Sequence, residues 1–218
     1  MIETTRLLLR PWHEDDAEAL YKYASDPDIG PAAGWPPHTN VENSRQIIQT
    51  VFSAPETYAV CLKDGTPIGS IGLKLNGSTD MTHRDDECEL GYWIGKPFWG
   101  QGMIPEASRA LLRHAFENLG MQAVWCGYYE GNEKSKRVQE KLGFVYQYTT
   151  DGLEVTLVNE IRTGHTNLMT QERWQKIERF RKQKETLDTF LERKAISLAQ
   201  YNKSLGDLRE LMGMHGVD

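Results

Sequence analysis

The stretch Trp99–Ala107 reads "WGQGMIPEA", two glycines one residue apart and then a proline at the head of a helix-forming run. Glycines let a backbone approach a ligand closely, and the start of a helix carries about half a positive charge beside N–H groups that lack partners inside the helix. Anions bind to that combination. Pro105 suits helix position N1, where its missing N–H would be an orphan in any case, and Glu106 follows in the first turn. Both features also suit a plain strand-to-helix turn with no ligand, so the loop alone leaves the two readings open.

The flanking residues supply its context. "ECELGYWIG" (Glu87–Gly95) alternates as a strand; the helix from Pro105 to Leu119 ends at Gly120, a natural left-handed C′ residue. "MQAVWCGYYE" (Met121–Glu130) is a buried-type strand, and "NEKSKRVQEKLGF" is a helix with Asn132 as N-cap and Gly143 at C′. Strand, glycine loop, helix, strand is a parallel crossover. Upstream, "RLLLRPW" (Arg6–Trp12) opens as a strand followed by an acidic-fronted helix, and Asp64-Gly65 joins two apolar runs as a hairpin. Between them "GPAAGWPPHTNVENS" (Gly30–Ser44) is too rich in Gly, Pro and Asn for regular structure, a loop long enough to expect function of it. "GSTDMTHRDD" is a polar loop, and "FVYQYTTDGLEVTLVNEIRTGHTNLMT" is further strand material. From Thr170 the chain turns charged and helical. Ser197 with Gln200 forms a capping box there, and Leu198, Tyr201, Leu205, Leu208, Leu211 and Met212 make an apolar stripe that needs a partner surface, on the main domain or a second subunit.

Composition narrows the function classes. With 25 Lys and Arg against 31 Asp and Glu the net charge is -6, which disfavours nucleic acid as a partner. Cys61, Cys88 and Cys126 are odd in number and show no C-x-x-C spacing, as in a reduced, cytoplasmic protein. No apolar run approaches the length of a signal peptide's core or a membrane span. His13, His38, His83, His114, His165 and His215 lack metal-ligand spacing, so no metal is expected.

Four separate stretches, "ETTRLLLRPWHEDDAEALYKYASDPDI", "ELGYWIGKPFWGQGMIPEA", "NEKSKRVQEKLGF" and "NLMTQERW", together resemble the GNAT superfamily of acetyl-coenzyme A-dependent N-acetyltransferases. Within it they are similar to the branch of Rim-type ribosomal-protein N-terminal acetyltransferases. The resemblance implies an α+β fold: a mixed, mostly antiparallel twisted sheet flanked by helices over residues 1–174, with a C-terminal helical extension over 175–218. It implies a pyrophosphate loop at Trp99, Gly100, Gln101, Gly102, Met103 and Ile104, where Trp99 replaces the Gln or Arg of the family pattern and Ile104 is bulkier than its Gly or Ala. Trp93 and Ile94 would flank the pantetheine arm, Asn132 and Ser135 the cofactor at the next helix, and Trp35 and His38 the acceptor. Gln139 stands where many members carry a catalytic Tyr, which leaves Ser135 as the available general acid.

Acetyl transfer from a thioester needs a neutral amine, a stabilised oxyanion and a leaving thiolate. Deprotonating an α-amino group of pKa ~7.7–8.0 at pH 7 costs roughly 1 kcal/mol, against roughly 4.6 for a lysine amine at ~10.4, so a modest carboxylate base serves the former. Glu89 is the candidate base. Period 2 puts it on one strand face with Glu87, Gly91 and Trp93, opposite Cys88, Leu90, Tyr92 and Ile94. Its structural alternative is a carboxylate that holds a neighbouring loop, and Glu87 is expected at the strand's wet end. The oxyanion would meet a backbone N–H near Tyr92–Ile94 if that strand bulges. The resulting expectation is an N-acetyltransferase whose acceptor is a protein N-terminus or a small amine, with a homodimer as one use of the tail. The contrasting reading is a non-catalytic acyl-CoA-binding or interaction module working through the helical tail.

Overall fold

The computed structural model describes residues 1–214; His215 and positions 216–218 lie outside the described residues. Strands β1 (Ile2–Glu3), β2 (Leu7–Arg10), β3 (Thr57–Leu62), β4 (Pro67–Lys74), β5 (Glu87–Ile94), β6 (Ala123–Tyr129), β7 (Val145–Val155) and β8 (Glu160–Thr170) form one sheet in the order β1-β2-β3-β4-β5-β6-β8-β7. Every neighbouring pair is antiparallel except β5 with β6. That parallel pair is the crossover anticipated around the glycine loop, made through α4 (Met103–Arg113).

Two apolar clusters hold the layers together. On one face α1 (Ala17–Ala24) and α3 (Val41–Thr50) pack Ala17, Leu20, Ala24 and Ile48 against Trp12, Ala59 and Cys61. On the other, Ile104, Ala107, Leu111 and Leu112 of α4 meet Leu7, Ile71, Cys88 and Leu90, and α5 (Glu133–Leu142) adds Leu142. The same cluster takes in Trp174, Ile177 and Phe180 of α6 (Gln171–Glu192) and Leu205 of α7 (Leu198–Met212). The stripe therefore finds its surface within its own chain, and Trp174 stacks on Phe116 at 5.7 Å between ring centroids. The capping box forms as expected, with Ser197 at the N-cap and Gln200 answering it.

Three local expectations are corrected. Gly30–Ser44 is not wholly irregular: Gly30–Ala33 forms the short helix α2, opened by Pro31 in its first turn and closed by Gly34 at φ +89°. Helix α4 begins at Met103, so Pro105 is its third residue rather than its first; N–H groups throughout the first turn lack helical acceptors, so a proline there still breaks no bond. The last turn of this helix, His114–Asn118, widens to a π-turn before Gly120 takes φ +71°.

Candidate active site

Strands β5 and β6 pair only at their beginnings. The register runs Glu87 to Ala123, Cys88 to Val124 and Glu89 to Trp125, and then stops, although β5 continues to Ile94 and β6 to Tyr129. Beyond Glu89 each strand keeps only its outer partner, β4 or β8. A wedge-shaped gap therefore opens in the middle of the sheet. Gly95 N–H donates to Ile68 O across β4–β5, and alternation from there turns the backbone of Glu89, Gly91 and Trp93 toward β4 and that of Tyr92 and Ile94 toward the gap. Ile94 O is already met there by the indole N–H of Trp99 at 2.9 Å. The β4–β5 register is regular from Gly69–Ile94 to Lys74–Glu89, so the gap needs no bulge in β5 to expose an amide.

At the wide end of the gap lies the glycine loop. Gly100 and Gly102 take φ +74° and +73°, a region that L side chains enter only with strain, and Gly102 is the N-cap of α4. Among the described residues no acceptor is found for the N–H groups of Gly100, Gln101, Gly102, Met103 or Ile104. Ile104 points its side chain into the core and leaves the loop mouth clear. Behind the loop, Arg6 donates to Gln101 O at 2.9 Å and to Glu106 at 2.6 Å, while Thr4 donates to the other Glu106 oxygen at 2.6 Å. Burial opposes charge on Glu106, but the bonds from Thr4 and Arg6 outweigh it and hold the carboxyl below its usual range. The β1–β2 turn thus clamps the first turn of α4.

Across the gap, Asn132 caps α5 by accepting from Ser135 N–H at 3.1 Å, and its amide donates to Ala32 O of α2. Ser135 Oγ sits 3.0 Å from Tyr92 Oη and accepts from Gln139 Nε2 at 3.2 Å. Gln139, fully buried, is itself held by Asn167 at 2.6 Å and donates to Gly127 O. With Gln139 as donor, the serine proton is directed to Tyr92 or into the gap. Burial raises the Tyr92 hydroxyl well above its ordinary pKa, so it stays a neutral O–H. Sequence reasoning missed Tyr92 as Ser135's partner; its place on the Cys88–Leu90 face was legible, but the contact joins residues 43 apart in the chain.

The opposite face of β5 carries the other chemistry. Glu89 is 8% exposed; Lys74 Nζ donates to one oxygen at 2.7 Å and Thr79 Oγ1 to the other at 2.6 Å. Glu87 is not at a wet end: Trp125 Nε1 and Thr82 Oγ1 both donate to it at 2.7 Å. These two carboxylates fasten the 75–86 loop, whose Met81 lies over Gly127 at a spot where a Cβ would come within 2.7 Å. That loop, read from sequence only as polar, is part of the site's wall. Trp35 meets Trp93 at 5.8 Å, so these two predicted residues do come together. His38 packs behind Trp35 and bonds Ser44 at 2.8 Å through Nδ1, and burial lowers its pKa. It lies one row back from Trp93.

The comparisons with known proteins agree with this geometry. The family model described as "Acetyltransferase (GNAT) domain" matches residues 6–145. An Aspergillus fumigatus protein named "FsC-acetyl coenzyme A-N(2)-transacetylase" is 30% identical over 186 residues, 82% of this chain and 79% of its own. The Bacillus subtilis "Putative ribosomal N-acetyltransferase YdaF" is 41% identical over 95 residues, 43% of this chain and 49% of that relative's length. A solved Bacillus anthracis acetyltransferase of the GNAT family shares the fold with a TM-score of 0.68 at 21% identity, over 78% of this chain and 98% of that one. A split parallel pair beside a free-amide glycine loop, under a family match that spans both, has one conclusion: the chain belongs to the GNAT family of acetyltransferases, acyltransferases whose donor is acetyl-coenzyme A.

Proposed function

We propose that this enzyme transfers the acetyl group of acetyl-coenzyme A to a primary amine by direct attack, with both substrates bound at once. The observation that carries the reading is the gap itself: free loop amides stand at its wide end, and Glu89 stands at its apex on the face of β5 that carries Trp93. The residues present fit the cofactor, because unpaired N–H groups on a left-handed glycine loop at a helix start are a ready anion site. Gln101, Gly102, Met103 and Ile104 would hold the pyrophosphate through their N–H groups, with Trp99 and Gly100 shaping the loop. Ile94 and its neighbours Tyr92 and Trp93 would flank the pantetheine arm, the gap-facing amides adding a strand-like partner. Asn132 and Ser135 line the far side. When bound, acetyl-coenzyme A supplies a thioester carbonyl open to attack.

Glu89 takes the amine proton, directly or through one water; its carboxylate has about four lone-pair sites and spends two on Lys74 and Thr79. The Tyr92 N–H, turned into the gap, is placed to stabilise the oxyanion. Ser135 can give a proton to the leaving thiolate, which at an ordinary thiol pKa of ~8.5 needs little help. The acceptor we favour is an α-amino group at a protein N-terminus, whose deprotonation a modest base can support. The Bacillus relative is named as a ribosomal N-acetyltransferase, which supports a protein acceptor, while the name of the Aspergillus relative, which overlaps this chain further, specifies transfer at an N(2) nitrogen. The three free cysteines are all buried, as suits a cytoplasmic enzyme, and none of the described helices is long and apolar enough to cross a membrane.

Thiol release from acetyl-coenzyme A, followed over N-terminal peptides and small amines, tests the proposal. Turnover of α-amino peptides is expected; bound cofactor with no turnover on any amine would overturn it. Gly102→Val should weaken acetyl-coenzyme A binding by about 10-fold or more, since a β-branched residue at φ +73° costs on the order of 1–3 kcal/mol or pulls the loop out of shape. Calorimetric titration checks this.

A further inference from the structure

The ring of Trp99 carries a cation on it. Lys134 Nζ lies 4.2 Å from the indole centroid, reaching from the first turn of α5 across to the residue that precedes Gly100. Lys96 approaches the same ring at 5.9 Å, but its charge is already matched by Asp28 and by Asp26 at 3.9 Å. Among the described residues no carboxylate comes within ion-pair distance of Lys134; Asp28, whose carboxylate it helps to keep charged, is already held by Lys96. A lysine resting on a half-buried aromatic ring at the surface gains roughly 0.5–1 kcal/mol and leaves three N–H donors for other work.

Its position in the helix is also unfavourable locally. Lys134 is the second residue of α5, at the positive end of the helix, where a cation is disfavoured and Glu133 beside it is favoured. Helix physics does not account for a lysine there; a ligand with negative charge would. The ammonium rests on Trp99, two residues before the free amides of Gln101–Ile104 begin, and so joins the two sides of the gap that the sheet leaves unjoined.

We propose that Lys134 is a phosphate ligand of the acyl donor, leaving the Trp99 ring for a phosphate oxygen when the cofactor binds. The proposal rests on the acetyl-coenzyme A reading above, and it supplies the positive charge that Trp99 cannot. The shared chemistry is a phosphate, which the cofactor offers at its pyrophosphate and at its 3′-position.

The test is calorimetric titration of wild type, Lys134→Met and Lys134→Arg with acetyl-coenzyme A and with 3′-dephospho-coenzyme A, at low and high salt. Methionine keeps the aliphatic stem on Trp99 and removes only the charge. Lys134→Met should bind acetyl-coenzyme A about 10-fold more weakly, the scale of one charge-assisted hydrogen bond, with a shallower salt dependence, and Lys134→Arg should recover most of the loss. A loss confined to acetyl-coenzyme A puts the contact at the 3′-phosphate, and a loss with both ligands puts it at the pyrophosphate; either supports the proposal. Wild-type affinity of Lys134→Met for both ligands would overturn it. Failure of the wild type to bind either ligand would instead overturn the cofactor reading itself.

Discussion

Glu89→Gln is expected to lower kcat by about 10²- to 10⁴-fold at neutral pH while acetyl-coenzyme A affinity stays within about twofold of wild type. The substitution is nearly isosteric and keeps an oxygen for Thr79 or Lys74, so the 75–86 loop remains fastened. Lys74 is more than half exposed, and the lost ion pair therefore costs only about 0–1 kcal/mol of stability. What disappears is a group able to accept the amine proton. In the wild type kcat/KM should fall on the acid side as the acceptor amine protonates. A variant with wild-type turnover across the pH range would leave Glu89 as the fastening of a loop and nothing more. Measuring binding and turnover separately decides between the two, because the loop amides proposed to hold the cofactor stand at the other end of β5.

Phe180→Ala should destabilise the protein by about 3–5 kcal/mol, read as a shift in the urea midpoint. The ring is fully buried in the main cluster, with Ile177 and Trp174 one and two turns back on the same helix. Arg113 of α4 also bonds Glu178 of α6 at 2.8 Å, so the helix that starts at the glycine loop and the helix that starts the tail share a contact as well as a core. Leu211→Ala, by contrast, removes a side chain that is 85% exposed and should change stability by no more than about 0.5 kcal/mol. Equal effects of the two substitutions would mean that α6 does not pack on the sheet in solution. The contrast also explains why the six-residue stripe read from the tail is wider than the surface it uses: Leu205 is buried, whereas Leu198 and Leu211 face out.

Much of the site was legible in one dimension, because its parts are local. Two loop glycines that need positive φ, an N-cap Asn three residues before a Ser, a strand of period 2 and the left-handed Gly120 and Gly143 are short-range requirements, and each is met where the residues predicted it. The errors there were also local and small, as with Pro105, because a proline is harmless at any position of the first turn. The 75–86 loop shows the opposite case. Nothing in a run of polar residues says that Thr79 and Thr82 will each donate to a carboxylate on the next strand, or that Met81 will lie over Gly127.

The residues by themselves determined the order of elements, the glycine loop, the caps and which side chains share a face of β5, since these follow from backbone freedom and periodicity within a few residues. Only the tertiary structure decided that β5 and β6 part after Glu89, that Tyr92 and Gln139 converge on Ser135, that Lys134 crosses to Trp99 and that the tail belongs to the core. Those outcomes depend on contacts between residues tens of positions apart, and which of them form is set by how whole strands and helices pack together, a competition that no short stretch of sequence contains.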